Sequence, residues 1–258
     1  MKPAVNSSVR IFFVGAGPGD PELITVKGLN IINRASLIVY AGSLVPEQLF
    51  EHSKAEEIID SSGLTLEQTS TLLKNAYYQG RIAVRVHTGD PSVFGTIQEQ
   101  VSLLAKEGIP FEIIPGVTAA FAAAARAGIS FTLPEVSQTL IITRTSGRTK
   151  VPGSQNLKKL AGTKSSLAVY LSSALAGSVQ SDLLMGGLDA DTLVIVGYKV
   201  GWEEEMIIHT RLAELENTVK HSNITGQAVF LVLPGRQQNL RSKLYDPDFS
   251  HGFRISQY

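Results

Sequence analysis

Residues 9–20 read VRIFFVGAGPGD and join a short apolar run to a glycine-rich turn. The run Val9–Val14 is continuous rather than alternating, which is typical of a strand buried on both faces of a parallel sheet. Glycines follow at Gly15, Gly17 and Gly19. In open α/β sheets, ligands bind beside the carboxyl ends of the strands. This stretch therefore predicts an α/β fold with a functional loop directly after its first strand.

Strands and helices alternate strictly through the first half of the chain. Thr25 is placed to cap a helix that runs to about Ala35, with apolar residues at helical spacing. The other predicted strands are Leu37–Tyr40, Glu57–Asp60, Ile82–Val86 and Phe111–Ile114, and the other predicted helices are Pro46–His52, Leu64–Gln79 and Ile97–Lys106. This alternation predicts a parallel sheet with helices packed against it.

The second half of the chain has a different pattern. An alanine-rich helix is predicted over Val117–Ala127, and the segment 144–154 is a polar loop. The predicted strands are Val136–Thr143, Leu167–Leu171, Thr192–Val196, Met206–Thr210 and Ala228–Leu233, with a helix over Ser173–Met185. Two sheets with a junction near Pro115–Ala119 explain this order better than one. We therefore predict two α/β domains, over residues 1–115 and 116–236, and a tail over 237–258.

Composition narrows the classes of function. The chain has 23 basic and 23 acidic residues, so it lacks the basic excess that supplies much of the affinity of nucleic-acid binders. It has no cysteine, and its five histidines are scattered without metal-ligand spacing. No apolar run is long enough to span a membrane, and the first residues lack a signal-peptide core. We therefore expect no bound metal, no nucleic-acid partner, no membrane attachment and a cytoplasmic location.

The first loop is glycine-rich but does not suit a phosphate. A dinucleotide fingerprint has a third glycine where this chain has Asp20, and Pro18 lacks an N–H group that would face a phosphate. The Gly-Lys-Ser/Thr of a phosphate-binding loop is also missing. A tight turn without a ligand is the alternative, and this loop alone leaves it open.

Two further strands end in similar loops. Residues 85–95 read RVHTGDPSVFG and repeat the Gly-Asp-Pro of residues 19–21. Residues 114–120 read IPGVTAA, and such small side chains suit the floor of a site for a flat ligand. Each of these loops, taken alone, is equally consistent with a simple turn.

Three segments taken together resemble the tetrapyrrole methylase family: VGAGPGDPELITVKG at 14–28, HTGDPSVFG at 87–95 and IIPGVTAA at 113–120. The resemblance extends from Val9 to Gly235. It implies two α/β domains with S-adenosylmethionine in a cleft between them, and a homodimer. Residues 40–45, YAGSLV, resemble the branch that methylates C11 of precorrin-4. The expected reaction is methyl transfer to C11 of precorrin-4, or of its cobalt form, in cobalamin biosynthesis.

The resemblance also implies the site residues. It places S-adenosylmethionine on Pro18, Thr88, Gly89, Asp90, Val93, Thr118, Ala119, Leu171, Tyr198 and Lys199. The tetrapyrrole carries acetate and propionate groups, and a guanidinium binds both oxygens of a carboxylate. The candidate substrate contacts are Asp20, Arg85, Arg144 and Arg148. The alternatives are solvated or ion-paired arginines, and aspartates that only stabilise their turns.

The expected chemistry is positioning rather than acid–base catalysis. A methyl group on a sulfonium is already electrophilic, so its transfer to an electron-rich ring carbon depends mainly on alignment. We therefore expect no essential catalytic side chain. His87 is a candidate base for the proton lost from the ring, but we favour a hydrogen-bonded structural histidine. Trp202 is interpreted as a packing residue.

Three other functions remain open. The chain could methylate uroporphyrinogen III or another precorrin, which would keep it within the same family. It could also be a non-catalytic module that binds S-adenosylmethionine. A ribosomal-RNA methylase is the third alternative, and the neutral net charge disfavours it.

Overall fold

The computed structural model describes residues 11–235 and, beyond them, residues 248, 250 and 252. The chain divides into two compact units. Unit 1 contains the residues up to Ala122 together with Lys199–Glu203, and unit 2 contains Ala123–Tyr198 and the residues from Glu204 onwards. This division lies a few residues after the boundary proposed at 115/116. Val9 and almost all of the proposed tail over 237–258 lie outside the described residues.

The described residues form strands and helices in the following order along the chain. The strands are β1 (Ile11–Gly15), β2 (Leu37–Tyr40), β3 (Glu57–Asp60), β4 (Ala83–His87), β5 (Phe111–Ile114), β6 (Leu140–Arg144), β7 (Ser166–Tyr170), β8 (Leu193–Tyr198), β9 (Met206–Arg211) and β10 (Ala228–Leu233). The helices are α1 (Val26–Ile32), α2 (Leu66–Tyr78), α3 (Ile97–Ala105), α4 (Ala119–Arg126), α5 (Leu157–Ala161), α6 (Ala176–Met185) and α7 (Leu215–His221).

Unit 1 is built on a five-stranded sheet with the order β3-β2-β4-β1-β5. All its neighbouring strands are parallel, which confirms the sheet type predicted from the alternation of elements. The central strands β1 and β4 pair in register from Ile11 and Ala83 to Gly15 and His87. Both faces of these strands are covered, and most of their residues are therefore apolar. Parallel strands also bring the loops after β1, β4 and β5 to one edge of the sheet.

Side-chain caps begin two of the helices of unit 1, and the first of these caps was predicted from the sequence. The hydroxyl of Thr25 accepts a 3.1 Å hydrogen bond from the N–H of Gly28, so α1 begins directly after the predicted cap. Thr65 and Gln68 form a capping box at the start of α2. The helix predicted over Pro46–His52 is a shorter 3₁₀ turn at Glu47–Phe50.

Helices cover the unit 1 sheet on both faces. On one face, Val14 of β1 and Val84 of β4 belong to a buried cluster with Ile32 of α1. On the other face, Phe13 of β1 belongs to a second cluster with Leu73 of α2 and Leu104 of α3. These two clusters hold the sheet in place, so the loops at its carboxyl edge start from a rigid support.

Unit 2 contains a mixed sheet with the order β6-β7-β10-β8-β9. β6 and β7 are parallel, whereas β10 is antiparallel to both β7 and β8, and β8 is antiparallel to β9. Phe230 of β10 is fully buried and belongs to a cluster with Leu183 of α6 and Leu215 of α7. The prediction of an α/β fold with two sheets is confirmed.

Three details of the second half differ from the sequence-based prediction. The strand predicted over Val136–Thr143 begins only at Leu140, because the residues before it form a turn. In that turn Leu133 donates to the carbonyl of Ser137 at 2.8 Å, and Glu135 has φ +63°. The short helices α5 and α7 were not predicted. Both are too brief for a clear hydrophobic period.

Candidate functional site

The loops after β1, β4 and β5 form one group at the carboxyl edge of the unit 1 sheet, where these strands are neighbours. Backbone hydrogen bonds join the first two loops. Ala16 donates to the carbonyl of His87 at 2.8 Å, and Gly17 and Gly89 exchange N–H···O bonds of 3.3 and 2.7 Å. The glycine-rich loops therefore continue the pairing of the sheet beyond its strands.

Glycine is required where these loops meet. A Cβ on Gly15 would lie 2.6 Å from the carbonyl oxygen of Gly89, and a Cβ on Gly116 would lie 2.1 Å from the same oxygen. Gly89 itself has φ +60°, in the left-handed region that favours glycine. The three backbones are thus in direct contact, which fixes the loops relative to one another.

Asp90 links the loop after β4 to the loop after β5 by a hydrogen bond. One carboxylate oxygen accepts from the N–H of Gly116 at 2.9 Å. The other accepts from the N–H of Ser92 at 2.8 Å and from the Ser92 hydroxyl. Burial alone would raise the pKa of Asp90, but these hydrogen bonds outweigh it and lower the pKa below its ordinary value. Asp90 is therefore an ionised carboxylate that stabilises both loops.

Asp20 and Pro18 belong to the loop after β1. The carboxylate of Asp20 accepts from the N–H of Glu22 at 2.9 Å and so caps the 3₁₀ turn Pro21–Leu23. Pro18 is buried, and its carbonyl accepts a 3.1 Å hydrogen bond from the indole of Trp202. Asp20 and Asp90, the two aspartates singled out from the sequence, thus both stabilise their own loops. This role is compatible with a ligand bound on the same loops.

The remaining predicted cofactor contacts of unit 1 lie on the same loops. Thr88 is exposed, Val93 is half-buried and Thr118 is buried. Thr118 directly precedes α4, whose first residue is Ala119. The backbone N–H and carbonyl of Gly89 are already paired with Gly17, so Gly89 offers a ligand close approach rather than hydrogen bonds. The structure brings these residues together.

Strained backbone lies at several of the predicted contacts. Leu171 follows β7 with φ +51° and is 70% exposed. Lys199 follows β8, whose last residue is Tyr198, and has φ +44°. Phe94, directly after Val93, has φ +55°. A left-handed conformation costs energy in residues with a side chain, and such residues often occur at ligand sites.

The three candidate arginines lie in different environments. Arg144 donates to the carbonyls of Thr145, Thr149 and Lys150 at 3.0–3.2 Å, so its guanidinium holds its own loop. Arg148 is exposed on that loop. Arg85 is mostly buried on β4, and its Nε and Nη1 have no hydrogen-bond partner among the described residues. Burial lowers the pKa of Arg85 to about 10, and the charge of Asp60 opposes this shift.

His87 is buried and neutral. It is 5% exposed, and its Nε2 has no hydrogen-bond partner among the described residues. Burial, with the positive charge of Arg85 in addition, lowers the pKa of His87 to about 3, while the carboxylate of Asp90 opposes the shift. Such a side chain is a weak base near neutral pH, which favours a structural role over proton abstraction.

Two features of this region were not predicted from the sequence. The contact of Trp202 with Pro18 joins residues 184 positions apart, and no local pattern indicates it. Ser70 of α2 and Gln100 of α3 are buried polar residues, and each has a side-chain oxygen without a partner among the described residues. In the sequence, each could have been recognised as a polar residue at a position where its helix faces the core.

A metal site and a membrane-spanning helix each require a particular arrangement of residues. Among the described residues, no group of three or more His, Asp or Glu side chains is arranged to hold a metal ion. No helix among the same residues has the length and apolarity needed to cross a lipid bilayer.

Comparison with known proteins gives concordant matches. The family model for tetrapyrrole (corrin/porphyrin) methylases matches residues 10–216. The cobalt-precorrin-4 C(11)-methyltransferase of Methanocaldococcus jannaschii is 43% identical over 257 residues, covering 98% of this chain and 98% of that protein.

Solved structures agree with this match. The X-ray structure of a cobalamin biosynthetic enzyme, cobalt precorrin-4 methyltransferase, is 42% identical and superposes with a TM-score of 0.85 over 87% of this chain and 94% of that one. A uroporphyrin-III C-methyl transferase from Thermus thermophilus, complexed with S-adenyl homocysteine, is 26% identical with a TM-score of 0.72, over 87% of this chain and 92% of that one.

Proposed function

Since the chain belongs to the tetrapyrrole methylase family, we propose that it transfers a methyl group from S-adenosylmethionine to C11 of precorrin-4 or cobalt-precorrin-4 in cobalamin biosynthesis. The observation that carries this proposal is the 43% identity, across 98% of both chains, with a cobalt-precorrin-4 C(11)-methyltransferase. The lower identity of 26% to a uroporphyrin-III methyl transferase favours this branch over the alternative substrate.

The loops of unit 1 fit a methyl donor of this kind. Thr88 is an exposed polar residue between the buried His87 and Gly89, so its hydroxyl and backbone are open to the polar end of a ligand. Val93 offers an apolar contact for an adenosine. We propose that S-adenosylmethionine binds on Pro18, Thr88, Gly89, Asp90, Val93, Thr118, Ala119, Leu171, Tyr198 and Lys199. When bound, it supplies an electrophilic methyl carbon.

The substrate's carboxylates need cationic partners, and we propose Arg85 as the first of them. Arg85 is largely buried, and its Nε and Nη1 lack a hydrogen-bond partner among the described residues, so a carboxylate that pairs with these two atoms gains a charge-assisted interaction. Arg148, exposed on the loop that Arg144 holds together, is the second candidate. We also propose that Asp20, which caps its own turn, faces the same substrate.

The proposed mechanism is alignment. The loops that would hold donor and acceptor are fixed by backbone contacts and by Asp90, and positioning alone accounts for about 7–11 kcal/mol of a barrier in favourable cases. His87, with a pKa of about 3, is poorly suited to act as the base. Water or the substrate's own groups then accept the proton lost from the ring.

The decisive experiment is a product analysis. Purified protein is incubated with methyl-labelled S-adenosylmethionine and, in separate reactions, with precorrin-4, cobalt-precorrin-4, an earlier precorrin and uroporphyrinogen III. The expected result is a single new methyl group, located at C11 by NMR, in one or both precorrin-4 reactions only. The cobalt-containing and cobalt-free substrates also show which form the enzyme prefers.

Three outcomes would contradict the proposal. A methyl group at another carbon, or methylation of uroporphyrinogen III alone, would assign the chain to another branch of the family. Binding of S-adenosylmethionine without transfer to any tetrapyrrole would indicate a non-catalytic binding module.

We also propose that the chain works as a homodimer, as the family resemblance implies.

A further inference from the structure

A short segment of the second half of the sequence contacts the first functional loop. β8 and β9 belong to unit 2, but residues 199–203 between them belong to unit 1. These residues form a turn in which Trp202 donates its backbone N–H to the carbonyl of Lys199 at 2.9 Å. Lys199 and Gly201 both have positive φ, at +44° and +85°. The left-handed conformation is unfavourable for Lys199, whereas Gly201 adopts it readily.

Trp202 contacts the loop after β1 in two ways. Its indole Nε1 donates to the carbonyl oxygen of Pro18 at 3.1 Å. Its ring also lies directly on Gly19, since a Cβ on Gly19 would lie 2.4 Å from the indole Cδ1. Only glycine fits beneath the ring in this arrangement.

A second close approach is made by the neighbouring residue. A Cβ on Gly201 would lie 2.4 Å from the backbone nitrogen of Asp20. The turn at 199–203 therefore contributes Gly201 to this contact, and the loop contributes Gly19. The absence of side chains at both positions lets the two backbones pack closely.

The loop needs such a support. Gly17 is already held by its two backbone hydrogen bonds to Gly89, but glycine at position 19 leaves the backbone there free to adopt many conformations. The indole restricts that freedom, because its ring lies against Gly19 and its Nε1 donates a hydrogen bond to the carbonyl of Pro18. Pro18 and Asp20 are the residues of this loop that the proposed function assigns to the methyl donor and the tetrapyrrole.

We propose that Trp202 is a positioning residue that holds the Pro18–Asp20 turn in the conformation in which this turn contacts the methyl donor and the tetrapyrrole. The proposal rests on the function proposed above. It goes beyond that function because it gives a specific role to a residue outside the three loops.

Three variants separate the contributions of the indole. Trp202→Phe keeps a ring on Gly19 but loses the hydrogen bond, and we expect kcat/KM to fall about fivefold, the worth of one neutral hydrogen bond. Trp202→Ala loses both, and the expected fall is on the order of 10- to 100-fold, as for a misplaced reacting group. Gly19→Ala leaves Trp202 in the chain but displaces the ring, so it should behave as Trp202→Ala.

Gly226→Ala is the matched control for the added methyl group. A Cβ at Gly226 meets no atom within 4 Å, so this variant should retain wild-type kinetics. Circular dichroism checks that each variant is folded. Gly19→Ala and Trp202→Phe keep the test valid if Trp202→Ala does not fold.

Fluorescence reports on the same contact, because Trp202 is the only tryptophan of the chain. In the wild type, we expect the emission to change on titration with S-adenosylhomocysteine, with the dissociation constant that calorimetry gives. In Gly19→Ala, the emission maximum should lie at longer wavelength, since the displaced indole is exposed to water. A residue with a purely structural role would not respond to the ligand.

The proposal would be overturned by folded Gly19→Ala and Trp202→Ala variants with wild-type kcat/KM, or by an emission that stays constant while calorimetry detects binding. Failure of the proposed function has a different signature. In that case the wild type itself methylates no precorrin-4, whereas the titration of Trp202 with S-adenosylhomocysteine still tests whether the turn responds to the donor.

Discussion

Arg85 and His87 occupy the same face of β4, since residues two apart on a strand point to the same side. Each has a buried nitrogen without a hydrogen-bond partner among the described residues. A folded protein rarely leaves such buried polar atoms unpaired, and those that remain often mark a site for a ligand or for ordered water. The two residues differ in charge, however, and so they give different predictions.

Arg85 is expected to contribute to binding of the tetrapyrrole. In Arg85→Gln, kcat/KM for precorrin-4 should fall roughly 10- to 100-fold, because hydrogen bonds to charged groups are worth about 1.5–3 kcal/mol. The affinity for S-adenosylhomocysteine should stay unchanged, as calorimetry can show. Arg211→Gln is the control, since Arg211 pairs with Asp191 at an exposed position. A loss of thermal stability with unchanged KM would instead identify Arg85 as a structural residue.

His87 is expected to make the native state sensitive to acid. Its folded pKa of about 3 lies below the ordinary 6.5, so between these values the unfolded chain takes up a proton that the folded chain does not. Stability from this residue is therefore complete above 6.5 and is lost as the pH falls towards 3. From about pH 7 to about pH 5, the loss should be roughly 2 kcal/mol.

Urea unfolding of the wild type and of His87→Gln at these two pH values measures this difference. The variant should lose less stability on acidification, whereas a His209→Gln control, changed at an exposed histidine, should behave as the wild type. Equal acid sensitivity in the wild type and His87→Gln would show that His87 is protonated in the folded protein.

Among the elements, the place where the loops after β1, β4 and β5 cross is expected to be sensitive to substitution. In Gly116→Ala the new Cβ would lie 2.1 Å from the carbonyl of Gly89, which backbone movement must relieve. We expect a loss of roughly 1–3 kcal/mol in unfolding free energy, typical of overpacking. The affinity for S-adenosylhomocysteine should fall as well. Gly153→Ala, whose Cβ meets nothing within 4 Å, is the control. Unchanged affinity would separate this crossing from the donor site.

The elements also show what the sequence could predict. Strands buried on both faces, such as β2 and β10, match their predicted bounds because a continuous apolar run defines them. α5 has only five residues, and its clearest signal is Asn156, whose side chain accepts from the N–H of Lys159. The turn at Leu133–Ser137 depends on a left-handed Glu135, which no residue type indicates. Burial is not sufficient, however, since the mostly exposed β3 also matches its predicted bounds, whereas the buried β1 and β4 each end one residue later than predicted.

For the candidate site, the sequence predicted the loops but not the bonds within them. The Gly-Asp-Pro motif indicated Asp90 as a functional loop residue, while its hydrogen bond to Gly116 depends on the neighbouring positions of β4 and β5 in space. Trp202 could not be associated with Pro18 either, because the two residues are 184 positions apart and lie outside any strand pair. Contacts between distant segments follow from strand order, and local patterns do not determine strand order.

At the scale of the whole molecule, the proposed homodimer predicts a mass. One chain has a mass of 27.7 kDa, so light scattering on the eluting protein should give twice that value across dilutions. An eluting species with the mass of one chain at every concentration would exclude the dimer. Because association depends on concentration, the thermal midpoint of a dimer should also rise with protein concentration.

The position of β10 has a consequence for synthesis on the ribosome. The five strands of the first sheet are all present once Ile114 has been made. In the second sheet, β10, the last described strand, lies in the centre, between β7 and β8. A nascent chain that stops before Ala228 therefore leaves both of these strands with an unpaired edge, which is a hazard for aggregation. The sheet of unit 2 is therefore complete only once its last described strand has been made.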